Sequence, residues 1–205
     1  MPKQLQRLNF SDLIPKAESI QDGRFSFVAD DALRANLALH LQYVSFLNLL
    51  AHEYDLPGGV RYSLYKTIIV FTASIVEGML VYKLRNLVDE KAIKIENLFE
   101  GSVRYEEIKN LWQISDCEYV IGAKKIFCQP AFPNAPKFQD FIRVAKRIKL
   151  FDDALFKKAD RLKILRNRIH LDGLEDVDDK YEEKDIEEAF ESAKLLINRI
   201  RDFKI

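Results

Sequence analysis

The chain has 205 residues and a mass of 23.9 kDa, with 32 basic and 32 acidic side chains and a formal net charge of zero. A hydrophobic fraction of 48% and a charged fraction of 31% exclude a disordered chain and suit a helix-rich soluble protein. Only 7 Gly and 6 Pro argue against an all-β sandwich or barrel, because such folds need many turns. The balanced charge argues against bulk electrostatic binding to nucleic acid or a membrane.

The N-terminus predicts no targeting segment. Residues 1–4 lead into a mixed polar stretch without the apolar core of a signal peptide. Cys117 and Cys128 do not form a disulfide framework, so we expect a cytoplasmic protein. Residues 67–82 are strongly apolar but fall short of the roughly 20 residues that cross a bilayer, and they include Glu77. We therefore expect a buried core helix and no membrane association.

The N-terminal half predicts a surface segment followed by two long helices. Residues 1–29 are weakly patterned and are assigned to an N-terminal surface segment. Residues 30–54 show apolar side chains at helical spacing, with Asp30 or Asp31 as the N-cap. A Leu-Pro-Gly-Gly break at 56–59 precedes a second helix over 62–88 that is apolar almost all round.

The C-terminal half predicts a small insertion and three more helices. Residues 102–112 are assigned to a short helix and residues 117–128 to a short β-hairpin. Helices then follow over 137–150, 152–171 and 182–203, each with apolar side chains at helical spacing. The prediction is a single all-α domain over residues 30–205, a helical bundle with a short hairpin insertion.

Charge is unevenly spread along this half of the chain. Residues 137–168 contain eleven Lys or Arg against four acids, whereas residues 175–191 contain ten acids against two lysines. The basic excess could line a track for phosphates. Alternatively, it is a solvated face whose members balance the acidic segment: Lys146, Arg147, Lys157 and Lys158.

Arg166 and His170 are the most informative pair. On a helical wheel Arg166 falls inside the apolar stripe and His170 on its border one turn later, while Arg161 and Arg168 are expected to project to solvent. In a structural interpretation, Arg166 pairs with the carboxylate of Glu77, which lies in the apolar helix and needs a cation. In a functional interpretation, Arg166 holds a phosphate and His170 moves a proton. Such a pair could cleave RNA without a metal, because the 2′-hydroxyl is a built-in nucleophile.

Three segments resemble the HEPN superfamily (higher eukaryotes and prokaryotes nucleotide-binding). Residues 165–170, Leu-Arg-Asn-Arg-Ile-His, look like its motif, residues 73–80 resemble its early helix, and residues 184–189 are similar to its C-terminal helix. The resemblance covers roughly residues 60–203, with a gap at the hairpin. The ribonuclease pattern of the family places four to six residues between Arg and His, and this chain places three.

The resemblance implies a homodimer in which two Arg/His motifs face each other. Many catalytic members are metal-independent endoribonucleases of toxin–antitoxin, abortive-infection and other defence systems. By this resemblance Arg166, Asn167 and His170 would be catalytic. The neighbouring basic residues Arg161, Lys163 and Arg168 would contact RNA. A cognate antitoxin-like protein would be a further partner.

Two other functional classes remain open at this stage. The domain could be a non-catalytic HEPN-like module for dimerisation or partner binding, with the acidic segment as the binding surface. A small-molecule-binding bundle with Trp112 lining a pocket has little support. The chain contains no Gly-rich phosphate loop, GxSxG, HExxH or paired CxxC motif, so we expect neither a cofactor nor a metal.

Overall fold

A computed structural model of the protein describes residues 12–116, 118–132, 137–167 and 181–204. Its contacts divide the chain into two compact units, residues 1–83 with 137–205 and residues 84–136. The predicted fold class, mostly helical with a small strand insertion, is confirmed. The elements of the described chain are helices α1 (Ala17–Arg24), α2 (Asp31–Glu53), α3 (Gly58–Asp89), α4 (Ile95–Leu98), α5 (Phe138–Arg147), α6 (Asp153–Asn167) and α7 (Glu183–Asp202), and strands β1 (Ser102–Ser115) and β2 (Glu118–Cys128).

The core of the first unit is built from the apolar faces of its long helices. Helix α3 is buried on several sides, as its all-round apolar sequence predicts. Helices α2, α5, α6 and α7 each bury one side against this core. The fully enclosed side chains of the unit include Ile68, Ile69, Ala73, Val76, Met79, Leu80, Ala38, Ile142, Leu165, Ala189 and Leu196.

Helix α2 begins and packs as its sequence predicts. The Asp30 side chain accepts a hydrogen bond from the Leu33 backbone N–H at 2.9 Å, which satisfies one free donor of the first turn. Along the helix, His40 and Tyr43 contact the Phe71 ring of α3 edge-on, with ring centroids 5.1 and 4.9 Å apart. His40 is thus a packing residue of the α2–α3 contact.

The segment before residue 30 contains a helix that the sequence does not predict. Helix α1 is eight residues long and mostly polar, so its periodic signal is weak. Ile20 of this helix is buried, as are Phe25 and Val28 just after it. The Gln42 side-chain amide of α2 also donates to the Pro15 carbonyl at 3.0 Å.

Helix α3 is longer than predicted. It begins at Gly58, so the two glycines of the break form its first turn, and it runs for 32 residues to Asp89. By length and composition it is the one described helix that could cross a membrane, and half of its most apolar window is buried inside the protein. A core helix passes the same test, so cytoplasmic location and absence of membrane association stay predictions.

In the second unit, the helix predicted over 102–112 is wrong. Residues 102–115 form strand β1, which pairs antiparallel with β2 from Ser102 opposite Cys128 to Ser115 opposite Glu118. The hairpin is therefore longer than the predicted 117–128 and turns between Ser115 and Glu118, with Cys117 outside the described residues. The register of β1 shifts at three positions, where Ile108, Leu111 and Ile114 have no partner residue on β2. Each shift interrupts the alternation of side chains between the two faces of the strand, so the sequence does not show the usual strand pattern.

Candidate functional site

Helix α6 carries the motif segment and is anchored at both ends. The Asp152 side chain accepts from the Leu155 backbone N–H at 2.8 Å at its start. Near the last described residue of α6, the buried Tyr181 hydroxyl donates to the Leu165 carbonyl at 3.0 Å. The last turn is therefore tied to the residues that lead into α7, and Arg166 lies in that turn.

Arg166 and Glu77 form the ion pair that the structural interpretation predicts. Arg166 Nη1 lies 2.8 Å from Glu77 Oε2, which joins the end of α6 to the middle of α3. The Arg166 side chain is 29% exposed and that of Glu77 is 21% exposed, so the pair is half-buried. The Arg166 guanidinium also lies 6.0 Å from the ring centroid of Phe138, the first residue of α5. Arg166 therefore connects the end of α6 to both α3 and α5.

Burial governs the electrostatics of this pair. Desolvation raises the pKa of Glu77, while the positive charge of Arg166 and its hydrogen bond lower it. The net direction is upward, because the loss of hydration outweighs the arginine. The Glu77 carboxylate is therefore easier to protonate than an exposed glutamate, and protonation removes the negative charge that pairs with Arg166.

A second group of basic residues on α6 faces the acidic helix α7. Lys158 Nζ lies 3.0 Å from Glu191 Oε1, and Arg161 Nε lies 3.1 Å from Glu188 Oε2. Arg161 Nη2 also lies 3.5 Å from Asp185 Oδ1. These three acids recur every three residues and share one side of α7. The α6–α7 contact therefore neutralises part of both charged segments.

The expectation that Arg161 projects to solvent is wrong. Its side chain is only 36% exposed and rests on α7, because the acids of that helix attract it. Of the predicted balancing residues, Lys158 does pair with the acidic segment, whereas Lys146 pairs with Asp153 of α6 at 2.9 Å. A helical wheel gives the direction of a side chain but not its neighbour.

The acidic start of α7 also has a local structural role. Asp185 is 4% exposed, and its carboxylate accepts from the Glu182 backbone N–H at 2.9 Å. The Glu182 side chain reciprocates by accepting from the Asp185 backbone N–H, which completes a capping box. At least these two acids of the segment are used to begin a helix.

The other predicted site residues are not gathered around Arg166 in the described part of the chain. Lys163 is bonded to the Gln139 side chain and to Asp160 Oδ1, the latter at 2.6 Å. Asn167 is exposed at the last position of α6. Arg168 and His170 lie outside the described residues. The structure therefore brings Arg166 together with Glu77 and does not test the predicted contact between Arg166 and His170.

Two residues of this site were not predicted. Phe138 packs beside Arg166, and Tyr181 bonds the last turn of α6. The only sequence signal for Phe138 is its position at the start of the predicted helix over 137–150, and this position does not identify Arg166 as its neighbour. Nothing in the sequence around Tyr181 distinguishes it from any other tyrosine near a helix start.

Metal-ligating side chains do not gather in the described part of the chain, where no three His, Cys, Asp or Glu residues could hold an ion. His52 at the end of α2 lies 3.8 Å from Glu183 Oε1 and is exposed. Cys128 has a free thiol at the end of β2.

Comparison with known proteins gives no relative from which the role of this site could be inferred. No family model matches the chain, and neither a curated protein nor a solved structure matches it. The functional interpretation therefore depends on the residues of α6 and their partners.

Proposed function

We propose that the protein acts on RNA through a dimeric site at the C-terminal end of α6, as a metal-independent endoribonuclease of the toxin or defence type. The observation that supports this proposal most is the state of Arg166. Glu77 orients its guanidinium at 2.8 Å, yet 29% of the side chain remains exposed. An oriented and accessible arginine is suited to bind the paired oxygens of a phosphate.

The proposed chemistry needs only side chains and the substrate. Arg166 binds the non-bridging oxygens of a phosphodiester, and the imidazole of His170 accepts the proton of the adjacent 2′-hydroxyl. The 2′-oxygen attacks phosphorus and the bond to the 5′-oxygen breaks. The products are a 2′,3′-cyclic phosphate and a 5′-hydroxyl, whose proton comes from an imidazolium in the facing motif or from water. Asn167, beside Arg166 in the sequence, supplies a polar contact to the RNA.

The first test is cleavage of single-stranded and structured RNAs by the purified protein in the presence of EDTA. The wild type is expected to release fragments with cyclic phosphate ends, and Arg166→Ala and His170→Ala to lose this activity. Arg143→Ala is the matched control, because Arg143 is an exposed arginine of α5 in the same unit. If the wild type leaves all RNAs intact, the nuclease proposal is wrong.

The second test separates an active arginine from a structural one. Arg166→Lys keeps a positive charge opposite Glu77 but loses the planar fork that binds phosphate in two-point fashion. Activity should fall at least tenfold while the folded protein is retained, as judged by circular dichroism. Equal activity of Arg166→Lys and wild type would show that Arg166 serves only its pair with Glu77.

The α6–α7 contact favours a second candidate, a non-catalytic module for dimerisation or protein binding. Lys158 and Arg161 form ion pairs with acids of α7, so their positive charges contribute less to a surface that could bind the phosphates of RNA. This candidate predicts a dimer without RNA cleavage or binding. The nuclease proposal also requires the dimer, so light scattering that gives a mass near 23.9 kDa at micromolar concentration would contradict the nuclease and the dimerisation module and leave only partner binding.

A further inference from the structure

The first unit contains a cavity that the site on α6 does not use. Its volume is about 750 Å³, within the range of roughly 300–1,000 Å³ that holds small organic ligands. Helices α1, α2, α3 and α7 all contribute to its wall. The apolar lining includes the buried side chains of Ile20, Phe25, Val44, Ile75 and Ala193. None of the residues proposed to act on RNA lines it.

The solvent side of the cavity is positively charged. Its exposed lining residues include Arg24 of α1 and Lys194 of α7, and neither forms an ion pair with any described residue. Arg201 also lines this side, but its charge is shared with Asp202 at 2.7 Å. Two uncompensated cations at the entrance of an apolar cavity favour an anionic head group.

We propose that this cavity binds an amphipathic organic acid. Its apolar body would lie among the side chains of α1, α2, α3 and α7, and its carboxylate would face Arg24 and Lys194. The proposal does not depend on the function proposed for α6.

The test titrates laurate calorimetrically into the intact protein below micelle-forming concentrations. Laurate should bind at one site. Failure of laurate to bind would overturn the proposal.

The charge of the head group is tested separately. The double variant Arg24→Gln with Lys194→Gln should weaken laurate binding at least fivefold, since each exposed cation contributes modestly. Dodecyltrimethylammonium has the same apolar body with a cationic head and should bind much more weakly than laurate. Equal binding of the two probes would refute the proposed entrance.

Discussion

Helix α6 makes two kinds of ion pair with similar residues. Arg166 meets Glu77 in a half-buried contact, where the two side chains are 29% and 21% exposed. Lys158 and Arg161 meet Glu191 and Glu188 of α7 near the surface, where these acceptors are 66% and 43% exposed. Arg161 also lies 3.5 Å from the buried Asp185, a longer contact than that of Arg166 with Glu77. The chemical groups are nearly the same in both regions. What differs is how much water each pair has lost.

This difference sets how much each pair matters. A pair that has lost water is costly to break, because one charge is left without hydration or a partner. A surface pair gains little, because water screens the attraction and long side chains lose freedom. The same helix therefore contains a contact on which stability depends strongly and contacts on which it depends weakly.

The largest effect is expected from Glu77→Ala. It leaves Arg166 half-buried without its carboxylate and should lower the free energy of unfolding by about 2 kcal/mol. Glu77→Gln should cost less, because an amide oxygen still accepts from the guanidinium. Urea unfolding followed by circular dichroism measures both variants. A loss in Glu77→Ala no larger than that of a surface pair would remove the distinction between the two regions.

The next effect is expected where α6 joins the segment before α7. Tyr181→Phe removes the donor to the Leu165 carbonyl, which stays buried, and should cost about 1 kcal/mol. Tyr43→Phe is the control, because Tyr43 is 41% exposed and keeps its ring contact with Phe71. If the two variants unfold at the same urea concentration, the Tyr181 hydroxyl does not hold the last turn of α6.

A smaller effect is expected from Arg161→Ala. It should cost roughly 0.5 kcal/mol, because Glu188 is well hydrated and Asp185 keeps its backbone donor from Glu182. The loss should shrink further in about 1 M NaCl, where the Debye length is near 3 Å. The cost of Glu77→Ala should change little with salt. A salt-independent loss for Arg161→Ala would place it in the same class as Arg166.

The helices of the first unit could be predicted because local signals agree with the tertiary contacts. The Asp30 cap and the apolar spacing of residues 30–54 give α2 within one residue at each end. The apolar spacing of residues 182–203 likewise gives α7 within one residue at each end, while its capping box is a finding of the structure. The hairpin was partly mispredicted because three irregularities in β1 remove its period of two. No local signal marks such irregularities in this segment.

The candidate site could be predicted only in part. The Glu77–Arg166 pair followed from a simple requirement, since a carboxylate in an apolar helix needs a cation and Arg166 lay on an apolar face. The partners of Arg161 did not follow, because they depend on which side of α7 meets α6. The cavity did not follow either, because it depends on how α1 and α7 pack beside α2 and α3.

The smallest effect is a dependence on pH that only the half-buried pair should show with this sign. Because the folded-state pKa of Glu77 is raised, the folded protein holds this proton more tightly than the unfolded chain. The free energy of unfolding of the wild type, relative to Glu77→Gln, should therefore rise as the pH falls through the folded-state pKa of Glu77. The change ends below the unfolded pKa, where both states are protonated.

Asp153 supplies the control of opposite sign. Lys146 lowers the pKa of this fully hydrated carboxyl by a hydrogen bond and by its charge, so its contribution is present near neutral pH and is lost as the pH falls through the folded pKa. Relative to Asp153→Asn, the wild type should therefore lose stability on acidification. Urea unfolding at a series of pH values measures both differences. If Glu77 follows the sign of Asp153, Arg166 outweighs burial, and the pair on α3 behaves like the pairs on α7.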